Sequence, residues 1–511
     1  MNRSFRNITR LFAIARILAR HDALMVLERL EIGGPAIALA RLFSRRGSGR
    51  PGQRLALALQ QAGPSFIKLG QALSTRSDLL GEEFSADLSE LQDSLPAFPT
   101  DQARATIEAE FAKPMAELFK EFDDKPIAAA SIAQVHFAIT HDGREVAVKV
   151  LRPDIEEAFR RDVDLMFWVA ELVEVAKPEY RRLRPVETVR TLAKSIEMEM
   201  DLRFEAAAAA ELQENFVGDE NFSVPAVDWR LTGQKVLTTE RVHGIPIDDI
   251  SALNAAGHDT NDLLQKSAEA FFLQVFRDGF FHADMHPGNM FVRPDGGLAA
   301  VDFGIMGRLD AKTRRHLGEL LLSFLTRNYR RTAEIHFEAG WIPADQSVDT
   351  FTQACRSIAE PILDLPQNEI SIATLLGQLF SITKTFNMET QPQLLLLQKT
   401  MLTAEGTGRK LNPEANMWLM AKPLIEQWVI SHLGPEARLI EAVSTLSGAF
   451  SRLPRLLENL DRATAELAHG RIRLHPETVR ALKGGNRFSV GPLMLIVVAA
   501  IFAGLVVMAI R

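Results

Sequence analysis

Between residues 282 and 304 the chain reads His282-Ala283-Asp284-Met285-His286-Pro287-Gly288-Asn289 and then, after an apolar stretch, Val301-Asp302-Phe303-Gly304. Asp284 and Asn289 stand five positions apart, and Asp302 follows Asn289 by thirteen. Moving a phosphoryl group requires a carboxylate near the acceptor oxygen and further oxygen ligands that hold Mg²⁺ against a triphosphate. One loop carrying Asp284 and Asn289 and a second carrying Asp302 can aim all three at one point. A competing reading gives His282 and His286 to a metal site or to the hydrogen bonding of a buried loop, and leaves the Asp302 spacing without a reason.

The order and separation of these runs match a protein-kinase catalytic loop and its metal-binding Asp, with His-Arg-Asp rewritten as His-Ala-Asp. That template demands a Lys upstream at the end of an apolar strand. Glu145-Val146-Ala147-Val148-Lys149-Val150 provides it, after a turn at His141-Asp142-Gly143-Arg144. A Lys so placed is costly unless paired, and in the template it pairs with phosphates and with a helical Glu. Candidates for that Glu lie in Glu197-Met198-Glu199-Met200-Asp201-Leu202-Arg203-Phe204-Glu205, where one continuous helix would put Asp201 and Glu205 on a shared face. An inserted segment, about 152 to 194, separates Lys149 from them and itself reads as helix.

In place of a glycine-rich phosphate loop stands Ala128-Ala129-Ala130-Ser131-Ile132-Ala133-Gln134-Val135. Alanine restricts positive φ, so this loop is expected to be stiffer, with Ser131 and Gln134 as hydrogen-bond donors. A plain helical alanine run is the alternative. The strand leading to the hinge is placed at Gln234–Gly244, with backbone groups near Glu240 and Val242 facing adenine.

Taken together, these residues resemble the UbiB-type atypical protein-kinase-like family. The resemblance is carried by the alanine loop, by Val146-Ala147-Val148-Lys149, by Glu199-Met200-Asp201 with Glu205, by the run from His282 to Asn289, and by Phe66-Ile67-Lys68-Leu69-Gly70-Gln71 followed by Leu88 to Pro96. It spans about residues 60 to 310. By this resemblance Lys149 binds nucleotide and pairs with Glu205, and the loop from Ala128 to Val135 covers the phosphates. Lys68, of the Lys-x-Gly-Gln signature with Gly70 and Gln71, lies over the active site and pairs with Glu199 of the Glu-x-Asp motif that ends at Asp201. Asp284 is the catalytic-loop carboxylate, and Asn289 and Asp302 hold the metal. The resemblance implies ATP and Mg²⁺ as cofactors and a role in ubiquinone biosynthesis, with membrane lipid, isoprenoid quinone precursors, other proteins of that process and a second copy of the chain as partners. It points to an ATPase or small-molecule kinase rather than a protein kinase; a nucleotide-binding pseudokinase scaffold is the rival. Where kinases often carry a Lys two residues past the catalytic Asp, this chain has His286, so slow intrinsic turnover is expected. A hydroxylase finds no support, since the chain lacks a Gly-x-Gly-x-x-Gly fingerprint after an early strand and has one cysteine, Cys355.

A length of 511 residues suggests several units, and a net charge of −7 argues against nucleic acid as a partner. The expected fold is α+β, a two-lobe kinase-like body with a helical N-terminal extension and a C-terminal transmembrane helix. Its expected parts are the extension at 1–105, an N-lobe with a helical insertion at 106–242, a C-lobe at 243–420, membrane-proximal helices at 421–489 and a span at 490–510. The run Val490–Ile510 carries no charge and is long enough to cross a hydrocarbon core of about 30 Å. Arg471, Arg473, Arg480, Lys483 and Arg487 before it orient the body to the cytoplasmic side of the inner membrane. Arg3, Arg6, Arg10, Arg16 and Arg20 make the N-terminus a basic amphipathic helix, suited either to anionic lipid or to packing on the body.

Overall fold

The computed structural model describes residues 3–23, 49–74, 84, 87–88, 96–176, 185–361, 392–414 and positions 382, 385, 386, 388, 423–425 and 428. All belong to one compact unit, 1–433. The expected span at 490–510 lies outside the described residues, as does nearly all of 421–489. Among the described residues no helix is long and apolar enough to cross a membrane.

The described chain opens with α1 (Arg3–Arg20), α2 (Pro51–Ala62) and α3 (Pro64–Ser74), then α4 (Thr100–Phe111) and the single turn α5 (Met115–Leu118). The first sheet follows: β1 (Glu121–Phe122), β2 (Ala128–Ala129), β3 (Ala133–Ile139) and β4 (Glu145–Leu151). The insertion comes next as α6 (Ile155–Ala176) and α7 (Pro185–Glu199), helical as expected, and then α8 (Leu202–Asn215). Past β5 (Phe222–Ser223), β6 (Val236–Glu240) returns to the first sheet. The antiparallel order is β1-β3-β4-β6, with β2 hairpinned onto β3.

Alternation along β4 decides what its two faces do. Val146, Val148 and Val150 are buried on one face, where they pack with Ala103 and Ile107 of α4 and with Val236. With a period of two, Lys149 must then project from the opposite face. The register Val135↔Lys149↔Leu237 puts three strands' residues on that same face. Because α4 backs this sheet, it runs straight through the boundary expected at residue 105.

The second lobe begins at β7 (Ile245–Pro246), α9 (Ile250–Ala255) and α10 (Thr260–Phe272). Short strands follow, β8 (Phe280–His282), β9 (Met290–Val292), β10 (Leu298–Ala300) and β11 (Met306–Arg308). They form the sheet β5-β10-β9-β7 and the ribbon β11-β8. Gly307 of that ribbon lies on the Phe281 ring, where an added Cβ would stand 2.1 Å from the ring, so no larger residue fits. Four helices follow, α11 (Ala311–Leu325), α12 (Tyr329–Glu338), α13 (Val348–Ala359) and α14 (Pro392–Leu411).

The N-terminal helix packs on the body. Arg10 makes a paired contact with Asp162 of α6 at 2.8 and 3.0 Å, and Arg6 reaches Asp164 at 2.8 Å. These two arginines therefore reach carboxylates of the insertion. Ser65 of α3 donates to the same Asp162 at 3.0 Å. One buried carboxylate thus ties α1 and α3 to the insertion, and α3 carries Lys68.

Candidate active site

Lys149 reaches both oxygens of Glu205, at 2.8 and 2.9 Å, and Asp302 Oδ1 at 3.0 Å. Glu205 sits in the first turn of α8, whose N-cap is Asp201, accepting from Arg203 N at 3.1 Å. Asp201 and Glu205 were expected to share a helical face. Instead α7 ends at Glu199, the backbone of Asp201 is extended, and a new helix starts at Leu202. Glu199 and Glu205 thereby come from different helices and meet different lysines. Glu199 accepts from Lys68 at 2.8 Å, and both side chains are largely buried. Gly70 and Gln71 share α3 with Lys68.

Two carboxylates around one ammonium have opposed fates. Burial is the strongest influence on Glu205 and pushes its carboxyl up to about 7, against the attraction of Lys149. Burial would also raise Asp302, but Lys149 outweighs it and holds that carboxyl well below the usual range. Lys149 itself is disfavoured as a cation by burial, yet Asp302 and Glu205 together raise it above an ordinary lysine. Asp302 has a left-handed backbone, φ 61°, an uncommon conformation for a non-glycine residue.

The catalytic loop is built on His282. Its buried ring accepts from Asp284 N at 3.1 Å through Nδ1 and donates from Nε2 to Val301 O at 3.1 Å. Both nitrogens are occupied by backbone, which removes His282 from any metal site and ties the Asp284 loop to the residue before Asp302. Burial, the leading influence, lowers its pKa, consistent with a neutral ring. His286 accepts from Gly288 N at 3.0 Å. Asn289 spends its amide Nδ2 on Asp284 O, at 3.1 Å, which leaves Oδ1 as its available donor to a cation. An amide oxygen with a carboxylate is the oxygen set Mg²⁺ uses when substrate phosphates and water complete its shell. Among the described residues no group of three or more His, Cys, Asp or Glu side chains forms a denser metal cage.

The alanine loop is a strand–turn–strand and not a helix. Ala128 and Ala129 pair with Val135 and Gln134, and Ala130 N donates to Ala133 O at 2.8 Å across the turn. Arg152 clamps Ala130 O from two guanidinium nitrogens, while its own N–H donates to Ile132 O. Gln134, expected to donate to phosphate, points the other way. Its Oε1 accepts from Phe98 N at 3.0 Å and its Nε2 meets His136 Nε2 at 2.8 Å. Ser131 is buried at the turn, its hydroxyl without a hydrogen-bond partner among the described residues. At the hinge, Glu240 N donates to Ala226 O at 2.8 Å, and strand pairing ends there. The backbone that remains for a base edge runs on toward Val242.

One contact was not foreseen. Lys399 of α14 donates to Asp284 Oδ1 at 2.9 Å. It lies 115 residues downstream, in a helical stretch without motif spacing, so no local pattern marked it.

Residues 90–336 match the family described as ABC1 atypical kinase-like domain, and residues 355–416 match the UbiB helical domain. A probable protein kinase UbiB of Marinobacter nauticus is 40% identical over 97% of this chain and 94% of that protein. The chain belongs to the UbiB family. UbiB proteins of Azotobacter vinelandii and of Vibrio cholerae, each also named a probable protein kinase, are 44% identical over 84% and 83% of the chain and 80% of their own lengths. Among solved structures, the complex of Rv3197 with erythromycin, from Mycobacterium tuberculosis, matches with a TM-score of 0.51 and 26% identity, over 72% of this chain and 93% of that one. The UbiB assignment spans both lobes and the helices that follow them. Within it, the extension bearing Lys68 precedes the matched kinase-like region, and Lys399 falls in the helical domain.

Proposed function

We propose that this UbiB-family chain binds Mg-ATP and turns it over in support of ubiquinone biosynthesis at the membrane, with an isoprenoid phenol as acceptor or trigger and not a protein side chain. The observation that carries the reading is the Lys149–Glu205–Asp302 cluster standing beside the Asp284–Asn289 loop. Bound Mg-ATP supplies the phosphoryl group and the metal that neutralises its charge. Lys149, already oriented by Glu205, would turn from Asp302 to the phosphates. Asn289 Oδ1 and Asp302 would hold the metal, and Arg152 keeps the loop over the phosphates from spreading. Asp284 Oδ2 stands 4.0 Å from His286 Nε2, beyond hydrogen-bond reach, and would receive a proton. The acceptor hydroxyl would lose its proton there as its oxygen bonds the γ-phosphorus and the bridging bond to ADP breaks. The Lys68–Glu199 pair, which joins the extension to the insertion, supports a cleft covered against peptide substrates.

The rival is a scaffold that binds nucleotide without needing turnover. It draws on the alanine loop and on the absence of a fixed charge at His286. The deciding measurement is Mg²⁺-dependent ATP hydrolysis by the full chain in anionic vesicles, with and without a phenolic quinone precursor, beside Asp284→Asn. Turnover that rises with phenol or lipid and disappears in the variant supports the enzyme. Nucleotide binding with no Asp284-dependent hydrolysis under any condition supports the scaffold.

A further inference from the structure

We propose that Lys399, carried by the helical domain and not by the kinase-like lobes, is the ammonium that faces the phosphoryl group in transfer, docked on Asp284 until nucleotide arrives. The inference rests on the reading that Asp284 serves phosphoryl transfer.

The charge balance at the site motivates it. Lys149 lies against Glu205 and Asp302, and Lys68 lies against Glu199. Neither pairs with Asp284 in the structure. The nearest group on the catalytic loop itself is the His286 imidazole, 4.0 Å from Oδ2 and half exposed. Lys399 stands 2.9 Å from Oδ1, so a full ammonium sits where the loop lacks one. Among the described residues only one of the two carboxylate oxygens is taken, and Oδ2 would accept the proton of the acceptor.

The position is fixed by the core. Leu397 is buried with Phe272, Phe281 and Leu309, next to the strand that enters the catalytic loop. Leu411, at the far end of the same helix, is buried with Met285 and Phe303, which neighbour Asp284 and Asp302 in sequence. Lys399 thus lies between two anchors that grip the catalytic loop and the Asp302 loop. Lysine is suited to the task, because a flexible four-carbon stem can swing a compact charge from a carboxylate to a nearby phosphoryl oxygen. A cation preorganised where negative charge develops lowers the barrier more than it strengthens ground-state binding.

The test uses the full chain in anionic vesicles with Mg-ATP, comparing wild type, Lys399→Met, Lys399→Arg, Lys399→Ala with added ethylamine, and Asp284→Asn. Lys399→Met is expected to lower kcat on the order of 10²-fold, the cost of removing one transition-state charge partner, while KM moves little. Mg-ADP binding and melting temperature should hold, Lys399→Arg should keep part of the activity, and ethylamine should restore turnover to Lys399→Ala. Wild-type turnover left unchanged by Lys399→Met overturns this inference alone. A faster Lys399→Met makes the lysine a brake and also overturns it. Loss of Mg-ADP binding or of melting temperature, with no amine rescue, assigns Lys399 to packing and overturns it. Equal, negligible turnover in wild type and Asp284→Asn removes the phosphoryl-transfer reading, and this inference with it.

Discussion

At the scale of single residues, burial shifts Glu205 and His282 in opposite directions, the carboxyl up and the imidazole down. Burial pushes the Glu205 carboxyl up to about 7, and its ionised form is the one that holds Lys149. The expected outcome is a fall in kcat/KM as pH drops below about 7, since that ratio reports the free enzyme. Difference infrared spectra should show a protonated carboxyl appearing as pH drops through the same range, and Glu205→Gln should abolish the band; a band that persists in the variant would refute the assignment. His282 has its folded-state pKa lowered from the ordinary 6.5, so the unfolded chain binds a proton that the folded one refuses. Stability contributed by the neutral ring is complete above that value and is lost as pH falls beneath it. His282→Phe should cost about 1–3 kcal/mol, the penalty for leaving Asp284 N–H and Val301 O without their partner. It should also flatten the acid dependence below pH 6.5, as read from urea midpoints. Asp284, Asn289 and Asp302 were legible in the sequence because a kinase-like loop pair has a fixed spacing of residue types. Gln134 was misread because period-two alternation, and not its polarity, decides which face of β3 it occupies.

Among the elements, the insertion and the extension act on the site through shared carboxylates. Asp162 of α6 is almost wholly buried and accepts from Arg10 and Ser65, so it sets where α3 lies and therefore where Lys68 points. Asp162→Ala takes the carboxylate from Ser65 and from Arg10, whose Nη2 still reaches Ala62 O at 3.0 Å, and should cost about 1–3 kcal/mol. A chemical-denaturation shift under 1 kcal/mol would show that α1 and α3 are held by apolar packing instead. The helices of the insertion and the strands around Lys149 could be anticipated from periodicity and turn residues. The break between α7 and α8 could not, since Glu197 to Glu205 contains no glycine or proline. Asp201 ends one helix and caps the next, a dual use visible only once the backbone is traced.

Over the whole molecule, the site draws on segments that are far apart in sequence. Lys68 and Glu199 join the extension to the insertion, and the exchange Lys68→Glu with Glu199→Lys should recover stability lost by either single change. A double-mutant cycle is expected to give a coupling of about 0.5–3 kcal/mol, and a value near zero would mean that the two side chains act independently. Motif reading could find the members that carry a fixed spacing, but it had no means of finding Lys399, whose partner is set by tertiary packing alone. That long separation has a consequence for how the protein comes into being. During synthesis the Asp284 loop leaves the ribosome 115 residues before Lys399 does. At about 5–20 residues per second, the interval is roughly 6–23 s. Through that interval a nascent chain carries Asp284 without the lysine that reaches it, so the Lys399–Asp284 ion pair can form only after the helical domain has emerged.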